Sequence, residues 1–188
     1  MSINIDLVTL FEELEETLQK LKKLKEEQEE IDDEEIPTAF NSDILTDVKE
    51  YILMYYGKNR PIWAEAFYQI CSWQWSILYE GIEVYYENLY EDNDYKTIMR
   101  VGQYLKQNGY PEFYEYYVAP AVEYEEELEE CPDGVAHSTW HPYPEEMYPI
   151  LKKTEEWAEK NLEMVWNFYV DILKKYKSTL LESQKEKL

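Results

Sequence analysis

The chain has 188 residues, 45% of them hydrophobic, with 41 acidic against 18 basic side chains and a formal net charge of −23. That length and apolar content exclude disorder throughout and suffice for a domain with a core, while five glycines are too few for the tight turns of a β-rich fold. The charge repels nucleic acid phosphates and anionic membranes, so neither is an expected partner; basic proteins, polyamines and metal cations are attracted.

The pattern predicts an all-α chain, an irregular bundle of about seven helices. Leu7, Leu10, Leu14, Leu21, Leu24 and Ile31 recur at three- and four-residue steps, with Phe11 and Leu18 widening the stripe, so residues 6–31 read as an amphipathic helix capped by Asn4 or Asp6. Thr17 and Gln28 interrupt a coiled-coil seam, which favours packing on its own domain over pairing with a second copy. The acidic run Glu26 to Glu35 reads as a helix end and linker. Residues 1–36 thus form a helix and linker, 37–182 a helical domain, and 183–188 a frayed tail.

Ser42 or Asp43 starts a second helix, with Ile44, Val48, Ile52 and Tyr55 on one side, and Gly57 stops it. Pro61 opens a third, apolar around much of its circumference through Trp63, Phe67, Ile70, Trp73, Ile77 and Leu78, and therefore expected to be central and buried. Gly81 breaks or bends it, and 82–90 continue helically. Asp92 or Asn93 caps the next helix, which carries Tyr95, Ile98, Val101 and Leu105 and ends at Gly109. Pro111 opens another, which Pro120 is expected to interrupt or kink by removing a backbone donor. Prolines 132, 142 and 144 with Gly134 mark 131–144 as a long loop, and one last helix follows Pro149 or Thr154.

The charges are segregated. No lysine or arginine lies between Lys106 and Lys152, a stretch with eleven acids, whereas 152–188 hold eight lysines against seven acids. Glu80, Glu83, Glu87 and Glu91, extended by Asp92 and Asp94, recur at helical spacing, a row of carboxylates with steps of roughly 4.5–6 Å. To a basic protein such a row resembles a line of phosphates. With Glu123, Glu125, Glu126, Glu127, Glu129, Glu130 and Asp133 it forms the candidate partner-binding surface; the plainer alternative is a solvated face. The nineteen tyrosines suit both half-buried helical positions and interfaces.

The run from Glu80 to Asn88 resembles the signature of a small bacterial all-helical family in which a long helix ends in an Asn-Gly-Gly-Phe turn followed by an aromatic pair and an asparagine. Gly81 corresponds to the second glycine, Tyr85 and Tyr86 to the aromatic pair, and Asn88 to the asparagine, while Tyr79, Glu80 and Ile82 depart from the pattern. Leu105 to Pro111, with Asn108-Gly109, resembles the family's later helix end. The resemblance spans about 60–180. It implies an α fold, and, since the family includes an acidic mimic of double-stranded DNA that binds a helix-turn-helix regulator, it implies mimicry of DNA as one form of partner binding.

No nucleophile motif, Walker loop or dinucleotide-binding turn is present, so no enzyme and no cofactor is expected. Cys131, His137 and His141 have a spacing that would suit a metal, but Pro142 and Pro144 disfavour a helix presenting both rings, and no metal site is assigned. One enzymatic alternative remains: Glu80, Glu83, Glu91 and Asp94 as Mg²⁺ carboxylates of a helical nucleotide pyrophosphohydrolase. Another is a structural adaptor, a homodimer joined through the N-terminal helix. The leading expectation is a binding protein whose acidic surface occupies the basic site of a DNA-binding regulator, a nuclease or a toxin. No secretory signal or membrane span is evident and the cysteines show no disulfide framework, so a cytoplasmic location is expected.

Overall fold

The computed structural model describes residues 6–26, 43–91, 95–130 and 149–185. Among the described residues there are eight α-helices and no strand: α1 (Leu7–Glu26), α2 (Asp43–Tyr56), α3 (Ile62–Tyr79), α4 (Ile82–Glu91), α5 (Tyr95–Gln107), α6 (Pro111–Glu130), α7 (Pro149–Lys160) and α8 (Leu162–Lys185). The fold class is all-α, as the periodicity and the scarcity of glycine indicate. No helix among them is long and apolar enough to cross a membrane. The chain divides into two compact units, Met1–Tyr68 with Trp166–Leu188, and Gln69–Val165. The linker at 27–35, the candidate caps Asp92 and Asn93, and the loop 131–144 lie outside the described residues.

In the first unit Asp6 caps α1. Its Oδ1 accepts the Val8 N–H at 3.0 Å and its Oδ2 the Thr9 hydroxyl at 3.1 Å. Bonds from the Thr9 N–H and hydroxyl hold the carboxyl below the usual range, because they favour its ionised form. Leu7, Leu10 and Phe11 are buried. Lys177 of α8 lies over the Phe11 ring, 5.2 Å from its centroid, and bonds Glu15 at 2.7 Å, so the start of α1 rests on its own unit. Between α2 and α3, Arg60 pairs with Glu65 at 2.7 Å, donates to the Gly57 carbonyl at 2.9 Å and stacks over Tyr68. Trp63 stacks on Tyr176, centroids 4.3 Å apart. The polar sequence beyond Leu181 suggests fraying, yet α8 continues to Lys185. Leu180 and Ser183 are buried, and the Ser183 hydroxyl sits 2.7 Å from that of Tyr51.

In the second unit α5 lies along α6 at Gly102. A Cβ on Gly102 would collide with a methyl of Val118 and crowd the Tyr114 ring, so glycine sets how closely the two helices approach. Ile98, Val101, Leu105, Phe113 and Tyr117 are buried. Trp157 of α7 lies against α6, stacked on Tyr116 at 4.7 Å and against Phe113 at 5.3 Å. Buried hydroxyls are joined in a network. Tyr85 donates to Gln69 at 3.1 Å and lies 2.6 Å from the Tyr117 hydroxyl. Tyr86 accepts from the Trp73 indole at 3.2 Å and donates to the Tyr117 carbonyl at 2.7 Å. Tyr85, Tyr86 and Tyr117 are thus core residues whose polar tips are satisfied internally.

Three expectations are corrected. The single C-terminal helix is two, because at Asn161 the side-chain amide donates to the Trp157 carbonyl at 2.8 Å and diverts the local bonding. Of the two outcomes expected at Pro120, interruption does not occur, since α6 runs from Pro111 through it to Glu130. The third helix is not buried along its whole length: Trp63, Phe67, Ile70 and Trp73 are, but Trp75, Leu78 and Tyr79 are exposed.

Candidate interaction surface

The α3–α4 turn decides how the first candidate carboxylates are presented. The N–H groups of Glu80 and Gly81 both bond the Ser76 carbonyl, at 2.9 and 2.8 Å, and Gly81 has φ +97°, a conformation that L side chains rarely adopt. Gly81 therefore ends α3 rather than bending it. Glu80 sits in the turn and not on a helix, so the helical spacing of the row starts at Glu83, and its later positions 87 and 91 fall on α4. Glu80 is exposed and Glu83 half-buried. The Glu83 carboxylate folds back over Gly81, where an added Cβ would lie 2.5 Å from its Oε1.

A helix distant in sequence adds to this row. Glu155 of α7 reaches the first turn of α4, where its Oε1 accepts the Ile82 N–H at 3.2 Å. Burial pushes its carboxyl above the usual range, and the nearby carboxylates of Glu83 and Glu159 push it further. The Ile82 bond and Lys152 act in the opposite direction. The first N–H groups of a helix lack intrahelical acceptors and its dipole is positive there, which suits carboxylates at the start of α4. Glu112, at the start of α6, accepts the Trp157 indole N–H at 2.8 Å. Lys160 pairs loosely with Glu156 at 3.9 Å, both exposed.

Of the candidate residues, Glu80 and Glu83 are brought to the same turn. Glu87 and Glu91 fall on α4, and Glu123, Glu125, Glu126, Glu127, Glu129 and Glu130 on α6. Asp92, Asp94 and Asp133 lie outside the described residues, as do Cys131, His137 and His141. Among the described residues no group of His, Cys, Asp and Glu is arranged to hold a metal ion. Cys71 is half-buried.

Glu155 and Glu159 are the residues that sequence reasoning misses. They stand in a segment where lysines outnumber acids, and only their four-residue spacing around Trp157 hints at a shared helical face. No family model, curated protein or solved structure matches the chain.

Proposed function

We propose that the chain is a protein-binding module whose carboxylate-rich surface occupies the cationic site of a basic partner, a DNA-binding regulator, a nuclease or a toxin. The observation that supports it most is the convergence of two carboxylates from distant helices at the start of α4, where Glu155 Oε1 accepts the Ile82 N–H at 3.2 Å and the Glu83 carboxylate folds over Gly81. Burial raises the Glu155 carboxyl, and the like charges of Glu83 and Glu159 raise it further. Folding alone does not require this. Glutamine at 155 would accept the Ile82 bond without the repulsion. A cationic groove placed over the cluster would relieve it, and long-range attraction to a chain of net charge −23 would speed encounter. The resemblance of residues 80–88 to a family with a DNA-mimic member makes a regulator's DNA-binding surface the first partner to test.

The test is a pull-down from source-cell lysate at low salt, eluted in salt steps, repeated with Glu83→Gln, Glu155→Gln and Glu159→Gln together. A defined basic protein that elutes at moderate salt and is retained less by the triple variant supports the reading, because exposed charge attraction is screened within about 10 Å at 0.1 M salt. Equal retention by both forms removes it. Mg²⁺-dependent nucleotide hydrolysis abolished by Glu83→Gln would replace it with the enzymatic alternative.

A further inference from the structure

The last turn of α3 exposes apolar surface that the reading above leaves unused. Trp75 and Tyr79 are 52% and 54% exposed, and Leu78 between them is 38% exposed. Positions i, i+3 and i+4 share one helical face, and the two rings touch, with centroids 4.5 Å apart and planes inclined at 44°. Single exposed apolar residues are ordinary, but a contiguous aromatic face marks an interaction surface. Within one turn of its end lie Glu80, the Glu83 carboxylate folded over Gly81, and Glu155 bonded to Ile82. The carbonyl end of α3 adds negative potential at the same place.

We propose that the Trp75–Leu78–Tyr79 face is the anchor point for an arginine-bearing segment of the basic partner, with apolar side chains seated on the rings and guanidinium groups shared between the rings and the carboxylates at the turn. This deepens the proposed function and rests on it. Charge selects the occupant. A second copy of the chain would bring its own Glu80, Glu83 and Glu155 against the same carboxylates, which repel. Arginine fits better than lysine, because the guanidinium is planar, weakly hydrated, stacks on aromatic faces and grips carboxylates bidentately. Tryptophan and tyrosine are the residue types that most often dominate binding when truncated, so this face would carry affinity while the wider acidic surface supplies attraction.

The experiment titrates the full chain calorimetrically, at low salt, with three synthetic peptides of equal length, alternating arginine–leucine, lysine–leucine and arginine–serine. The arginine–leucine peptide is expected to bind tightest, and Trp75→Ala or Tyr79→Ala to weaken it about tenfold or more. Leu53→Ala, an exposed apolar residue of the other unit, is the control and should bind as the wild type does. Both positions are exposed, so helicity by circular dichroism should hold. If Trp75→Ala loses it, Tyr79→Ala alone decides. Tight binding that survives both substitutions but falls with Glu83→Gln and Glu155→Gln overturns the anchor and leaves the acidic docking reading standing. Binding of none of the peptides by the wild-type chain overturns both. A wild-type dimer in sedimentation that Trp75→Ala dissociates would assign the face to a second copy and overturn the proposal.

Discussion

The hydroxyl of Thr154 donates at 3.2 Å to the main-chain carbonyl of Tyr116, the acceptor that Pro120, lacking an N–H, does not serve from four residues on. The next carbonyl, that of Tyr117, accepts the Tyr86 hydroxyl at 2.7 Å. Side chains from α7 and α4 thus supply donors where the proline disturbs the ladder of α6, and the helix runs on through it. Thr154 is fully buried, as a residue given to that bond should be.

Replacing Thr154 by valine keeps the shape and deletes the donor. The expected cost is about 1–2 kcal/mol, read as a lower urea midpoint with unchanged slope. In a Pro120→Ala background the restored N–H can serve Tyr116, so the same substitution should cost less. Equal costs in the two backgrounds would show that the threonine and the proline are not coupled.

Tyr86 should reveal itself at alkaline pH. Burial lifts its phenol well above the ordinary value of 10.0, helped by Tyr117, against the Trp73 bond. A folded-state pKa above the unfolded one gives stability that is complete below about pH 10 and lost as pH rises from there through the folded value. Tyr86→Phe is expected to cost about 1–3 kcal/mol at neutral pH, since it leaves the Tyr117 carbonyl and Trp73 indole without that partner, and to flatten the alkaline loss. An alkaline unfolding curve with the wild-type slope would contradict this.

Glu155 titrates in the opposite part of the scale with the same sign. Its raised carboxyl means that the stabilising, protonated form is complete below about pH 4.5 and lost as pH rises through the higher folded value. Glu155→Gln keeps an oxygen for the Ile82 N–H and removes the repulsion from Glu83 and Glu159. We expect it to be neutral or stabilising at pH 7 by under about 1 kcal/mol, and to remove part of the pH dependence just above 4.5. Thermal unfolding across that window measures both effects; a clear loss of stability at pH 7 would mean that the ionised carboxylate is itself needed.

Gly102 tests the α5–α6 contact. Alanine favours a helix by about 1 kcal/mol over glycine, so at an open site Gly102→Ala would stabilise. Against Val118 and Tyr114 the added methyl must push the helices apart, and a net loss of about 1–3 kcal/mol is expected. A higher melting temperature would show that α6 yields to the methyl group at little cost.

Helix positions, Gly57 and Gly109 as stops, and Asp6 as a cap were legible because each depends on residues a turn away: apolar period, a chain reversal that glycine tolerates, a carboxylate beside free N–H groups. Asn161 was not, since asparagine inside a periodic stretch is compatible with helix and with its interruption, and the choice fell to the bond with Trp157. The spacing placed positions 83, 87 and 91 on one helix, but Glu80 falls outside it because Gly81 ends α3, and Glu155, which reaches the same turn, lies 73 residues from Ile82.

By itself the sequence determined the all-α class and the excess of negative charge, since both follow from composition and near-neighbour spacing. Only the tertiary structure decided which faces are covered. Trp73 and Trp75, two residues apart, are buried and exposed respectively, and Glu155, from a lysine-rich segment, reaches the turn that holds Glu83. Periodicity ranks the faces of a helix by polarity, but burial depends on which distant segments reach them, and that is fixed by packing among residues far apart in the chain.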